Sequence, residues 1–155
     1  MNSPVAPKAR RGRSASRELA LQALYQWQLG GQRAQDVLLE FLSERMPASA
    51  DEPFFKELVL QATERSEALD AELADFSDRP VSQLDPVEHA ILLIGLYELM
   101  HRPEIPWRVV INEAIDLCRR YGGSDGHRFV NALLDRAARR HRAAETGAAG
   151  QARER

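Results

Sequence analysis

Apolar residues recur at three- and four-residue intervals along most of the chain, and no stretch of useful length alternates in the way a strand does. Leu19, Ala20, Ala23, Leu24 and Trp27 predict an amphipathic helix over about 16–29, which Gly30-Gly31 ends. Val37, Leu38, Phe41 and Leu42 predict a second over about 35–46, followed by a loop at 47–51. Asp51 is placed to cap what comes next. There Phe54, Phe55, Leu58, Val59, Ala62, Leu69, Leu73 and Phe76 keep a helical period through a polar interruption at Arg65 and Ser66, which one long helix or two short ones would satisfy equally. Asp78, Arg79 and Pro80 read as a connector, with a short helical turn over 81–84.

The clearest start signal follows. Asp85 suits an N-cap, Pro86 the first helical position and Glu88 the third, so Asp85 and Glu88 have the spacing of a capping box. Ala90, Ile91, Leu92, Leu93, Ile94, Leu96, Leu99 and Met100 are then apolar nearly all round, which marks a central helix packed on several sides. Beyond Pro103, two helices are joined by a glycine turn. Pro106 opens the first, Val110, Ala114 and Leu117 lie on its buried face, and Gly122 and Gly123 are read as left-handed residues that stop it. Ser124 or Asp125 caps the second, in which Phe129, Val130, Leu133, Leu134 and Ala137 recur at helical spacing. The fold class is therefore all-α, a compact bundle of about six to seven helices. Residues 15–142 are expected to form a single domain between a flexible basic arm at 1–14 and a disordered tail at 143–155.

Composition adds exclusions. A chain of 155 residues can bury a real core. None of its apolar runs approaches the roughly 20 residues of a membrane span, and the first residues lack the apolar segment of a secretory signal, so a cytoplasmic protein away from membranes is expected. The single cysteine, Cys118, reads as a small buried apolar residue, and the histidines at 89, 101, 127 and 141 stand at no metal-binding spacing. No metal and no cofactor are expected.

A net charge of −2 conceals segregation. Residues 1–17 carry Lys8, Arg10, Arg11, Arg13 and Arg17 with no acid, residues 36–88 set fourteen acids against four bases, and residues 102–142 set nine arginines against five acids. Such a molecule can meet a polyanion with its basic parts and a basic protein with its acidic part. Catalysis has no visible apparatus. There is no nucleophile with its base, no metal cluster and no phosphate-cradling glycine loop, and Gly122-Gly123 is better explained as a helix stop. What remains is binding, and three residues have two readings each. Phe129 belongs by periodicity to the core beside Leu133, yet an aromatic ring near basic residues can stack on an unpaired base. Tyr25 sits at the edge of its helix's apolar stripe and suits a core or an interface. Glu88 closes a capping box or faces a partner.

Three blocks of sequence then point further. Arg17-Glu-Leu-Ala-Leu-Gln-Ala-Leu-Tyr-Gln-Trp27, the segment from Glu88 through Gly95-Leu-Tyr-Glu-Leu99, and Ile111-Asn-Glu-Ala-Ile-Asp-Leu117 with Tyr121-Gly122, His127-Arg-Phe-Val-Asn131 and Leu134-Asp135 together resemble the NusB family of transcription antitermination proteins, over about 13–140. The resemblance implies two packed helical sub-bundles. It implies a transcription antitermination factor that binds the single-stranded boxA segment of nascent ribosomal RNA together with NusE, a small-subunit ribosomal protein, in the RNA polymerase antitermination complex. By matching position it places Arg10, Arg11, Arg13, Arg17, Asp125 and Phe129 on the RNA side, and Tyr25 and Glu88 towards NusE. Gly126 stands where the family more usually has serine, and Ala132 where glycine is common. Two other readings go with these residues: an accessory module like the N-terminal part of ribosomal RNA cytosine methyltransferases, which expects a following α/β domain, and a protein-only helical adaptor. A homodimer is compatible with any of them.

Overall fold

Helix α1 begins earlier than its composition suggests, and the reason lies in what it touches. In the computed structural model, which describes residues 6–123 and 125–147, α1 runs Pro7–Gly30 with Pro7 in its first turn. Residues 7–14, expected as part of a mobile arm, are thus helical. Gly12 lets the helix pass close to the 47–51 loop: its carbonyl accepts from Asp51 N–H at 3.1 Å, and a Cβ there would lie 3.2 Å from the Ser49 carbonyl. The buried Ser16 hydroxyl adds bonds to the Gly12 and Asp51 carbonyls. Residues 1–5, the alternative cap Ser124 and the end of the expected tail, 148–155, lie outside the described residues.

The remaining helices are α2 (Ala34–Glu44), α3 (Glu52–Glu64), α4 (Ser66–Phe76), α5 (Pro86–His101), α6 (Trp107–Tyr121), α7 (Gly126–His141) and the single turn α8 (Ala143–Thr146), with a 3-10 turn at Val81–Gln83. Among the described residues there is no strand. The stretch from 53 to 76 is two helices, broken at Arg65. Gly31, with φ +69°, closes α1 in the left-handed conformation. Gly122 does not do this for α6. Its φ is −88°, so the left-handed expectation is corrected; glycine is needed instead because a Cβ would meet the Cys118 carbonyl at 2.8 Å. Asp51 accepts from Phe54 N–H at 3.0 Å and Asp85 from Glu88 N–H at 3.2 Å, so both predicted caps are made. Asp125 precedes α7 without a side-chain capping bond.

The chain divides into two compact units, Met1–Glu67 and Ala68–Arg155. In the first, α1 and α3 pack together and both meet α2, with the Phe41 and Phe55 rings 6.2 Å apart among fully buried Leu58 and Val59. In the second, α5 packs against α6 and α7, which also pack on each other. Gly95 makes room for α7, since a Cβ would lie 2.9 Å from Leu134 Cδ1. Val130, Leu133, Leu134, Ala137 and Ala138 form the buried stripe of α7.

The segment that follows α7 is held by Arg142. Its guanidinium is buried and donates to the carbonyls of Glu98, Leu99, Arg102 and Ile105 at 2.8–3.1 Å. Two of these oxygens belong to the last turn of α5 and a third to its C-cap, where helical partners run out. Glu145 pairs with Arg142 at 2.7 Å and accepts from Trp107 N–H at 3.3 Å. These bonds order 143–147, a stretch whose small, polar composition alone predicts a disordered tail.

Candidate nucleic-acid interface

Two places in the chain gather basic side chains at the surface, and the second adds aromatic ones. The first is the start of α1, where Lys8, Arg10 and Arg11 are exposed and Arg13 is half-buried. There is no acid in the first turn and no side-chain cap. The positive end of the helix dipole thus meets further positive charge, an arrangement that a bound polyanion relieves. Arg17 departs from the expected set. It is 2 % exposed, and its guanidinium lies 5.1 Å from the Phe54 ring centroid, with Arg13 at 5.7 Å from the same ring. Arg17 is part of the packing of the first unit, because at this register it falls on the buried face of α1.

The second place is the turn between α6 and α7. Arg119, Arg120 and Tyr121 are exposed at the end of α6, and Asp125 and Arg128 are exposed at the start of α7. Phe129 is half-buried, outside the buried stripe of its helix. Periodicity would have put it in the core; the stripe instead runs through Gly126, Val130, Leu133 and Leu134, leaving the ring at its edge. Over that ring lies a residue read from sequence only as part of a connector. The guanidinium carbon of the exposed Arg79 is 4.0 Å from the Phe129 centroid, well inside the range of a cation–π contact. Fifty residues of sequence separate the two, so no local pattern could have paired them.

Glu88 belongs to the same neighbourhood. It is 9 % exposed, and its carboxylate faces the first turn of α7, so that a Cβ on Gly126 would lie 3.0 Å from Oε1. Burial, then the charge of Asp85, push its pKa above the ordinary carboxylate value, while Arg79 pulls it back. Tyr25, in the first unit, is 41 % exposed, which decides its two readings in favour of a surface ring. Further along α6 and α7, the signature asparagines Asn112 and Asn131 line one open cleft of about 250 Å³ with Trp107, Arg108, Ile111 and Asp135.

Among the described residues no group of three or more His, Cys, Asp or Glu could hold a metal ion, and no helix is long and apolar enough to cross a membrane. Cys118 is 1 % exposed and its thiol is pushed up to about 12, chiefly by burial and then by the charges of Glu88 and Asp85.

Comparison with known proteins gives one consistent answer. The model of the NusB family matches residues 14–139. The chain is 49% identical over 133 residues to the transcription antitermination protein NusB of Nitrosococcus oceani, covering 86% of this chain and 89% of that protein, and 47% identical to that of Nitrosomonas eutropha, covering 86% and 80%. It is similar in structure to T. maritima NusB, with TM-score 0.74 at 26% identity over 91% of this chain and 94% of that one. It is also similar to a chain in the crystal structure of the antitermination factors NusB and NusE with double-stranded RNA, with TM-score 0.76 at 25% identity over 84% and 98%. The signature strings, the all-helical fold and these likenesses coincide along the same residues, and the chain belongs to the NusB family.

Proposed function

We propose that this chain is a transcription antitermination factor that grips RNA through the start of α1 and through the α6–α7 turn, and that it works with NusE. The observation that carries the RNA-binding part is the position of Phe129: a half-buried ring at the edge of the α7 stripe, beneath the guanidinium of the exposed Arg79 and next in sequence to the exposed Arg128. Unpaired RNA is held by cationic side chains with bases stacked on aromatic faces, and this turn offers both. Lys8, Arg10, Arg11 and Arg13 supply phosphate neutralisation in the first unit, with Arg17 and Phe54 setting the position of Arg13. Asp125, exposed at the turn, is placed to accept from a base edge or a ribose hydroxyl.

Tyr25 and Glu88 are the residues we assign to NusE, Tyr25 by its exposed ring and Glu88 as an acid at the margin between buried and exposed. A ribosomal protein is basic, and acids dominate residues 36–88 of this chain. The RNA is the boxA segment of a nascent ribosomal transcript, met in the cytoplasm within the RNA polymerase antitermination complex. Relatives named as antitermination factors, and a solved NusB–NusE–RNA assembly, support this reading.

The test is a titration of single-stranded boxA-type RNA, scrambled RNA and duplex RNA with the full chain, with and without NusE. Tighter binding of the boxA-type strand, strengthened by NusE and lost in Phe129→Ala with unchanged helical content, is the expected result. Binding to NusE with no binding to any RNA would overturn the proposal in favour of a protein-only adaptor.

A further inference from the structure

We propose that Arg79 is an RNA-contacting residue whose guanidinium plane, laid on the Phe129 ring, extends that ring into a two-layer stacking platform for one unpaired nucleobase. This rests on the RNA-binding reading of the α6–α7 turn. Its starting point is the separation of 4.0 Å between the Arg79 guanidinium carbon and the Phe129 centroid, which is a stacking distance.

The backbone that carries Arg79 is fixed. The Ser77 hydroxyl oxygen accepts from Arg79 N–H at 3.1 Å, and the same hydroxyl donates to the Arg79 carbonyl at 2.9 Å. Pro80 follows, which restricts Arg79 to extended backbone. The side chain is therefore delivered to the ring from a clamped position, and a bound base would not bear the full entropy of ordering it. The residue is nonetheless exposed.

The chemistry of the pair suits RNA in two ways. A guanidinium stacked by one face keeps its opposite face for a nucleobase and its in-plane N–H groups for a phosphate or a base edge. Lysine offers a point charge and no plane. The nearby acid, Glu88, is turned towards Gly126, and the charge of Arg79 pulls its pKa down. Arg128, exposed on the residue before Phe129, adds a second cation beside the platform.

The experiment is fluorescence anisotropy with an unstructured single-stranded boxA-type RNA dodecamer and the full chain, comparing Arg79→Ala, Arg79→Lys, Phe129→Ala and the Arg79→Ala/Phe129→Ala pair. The expected result is a roughly tenfold loss for Arg79→Ala, within the range of one lost stack. Arg79→Lys should restore the salt dependence but little of the affinity, and the double variant should bind little worse than Phe129→Ala alone, because both residues serve one base. Full rescue by lysine, an unchanged affinity in Arg79→Ala, or tighter binding in that variant would each overturn the inference. If Phe129→Ala weakens binding while Arg79→Ala does not, only the role of Arg79 falls. If neither does, the RNA-binding reading of this turn falls with it.

Discussion

The Arg142 guanidinium donates to the Leu99 carbonyl at 2.8 Å from a side chain that is 6 % exposed, and the same group reaches the carbonyls of Glu98, Arg102 and Ile105. One residue at the end of α7 thus satisfies the end of α5. A hydrogen bond to a charged group contributes about 1.5–3 kcal/mol, and a buried carbonyl left without a donor adds a desolvation cost. Arg142→Ala should therefore lower the stability of the protein by about 3 kcal/mol, or roughly 10 °C in Tm. Arg142→Lys should recover only part of this, since an ammonium cannot reproduce the fork. Thermal unfolding followed by circular dichroism checks both, and a loss below about 1 kcal/mol in Arg142→Ala would show that water replaces the guanidinium readily.

Glu88 gives a pH prediction of definite sign. Its carboxyl is raised in the folded state, first by burial and then by Asp85, so between the ordinary value and the raised one the folded protein holds a proton that the unfolded chain has released. Stability then falls as pH rises through that window. Glu88→Gln removes this dependence. The variant should match the wild type below the ordinary carboxylate range, exceed it at neutral pH, and show a flatter curve of Tm against pH between the two. A wild-type curve that rises with pH faster than that of Glu88→Gln would reverse the assignment.

Local signals were enough for most helix ends. Asp51 and Asp85 cap as their spacing indicates, Gly31 is left-handed, and the apolar α5 is buried along Ala90–Leu99. Where reading failed, the cause was a contact distant in sequence. Gly12 and Pro7 look like linker residues until Asp51 is seen donating to the Gly12 carbonyl, a bond across thirty-nine positions. Gly122 looks left-handed until the Cys118 carbonyl is seen to exclude a Cβ from an otherwise ordinary conformation. Arg17 and Arg10 look alike as charges, and only the register of α1 against Phe54 separates a buried cation from an exposed one. Arg79 illustrates the same limit at the candidate site, because nothing near Pro80 announces an aromatic ring on α7.

Cys118 should behave as a packed apolar residue. With 1 % exposure and a thiol raised to about 12, it holds almost no thiolate at pH 8. An aromatic disulfide reagent at that pH should label the folded protein only as fast as the second unit opens, and should titrate one thiol at once in guanidinium chloride. Immediate labelling of the folded protein would show that the end of α6 is open to solvent.

The start of α1 makes a prediction about salt. Each phosphate neutralised on a single strand contributes about 0.7 to the slope of log affinity against log salt, so removal of two contacting cations should flatten it by about 1.4. Arg10 and Arg11 are exposed, whereas Arg17 is buried over Phe54, so Arg10→Ala/Arg11→Ala is the variant that should show this change without loss of helix. Arg17→Ala should act through the fold instead, lowering stability by uncovering the Phe54 ring while altering the slope little. The two variants exchange signatures if the register of α1 is wrong. A slope that responds to Arg17→Ala and not to Arg10→Ala/Arg11→Ala would mean that the cations meeting RNA come from the face of α1 assigned to packing.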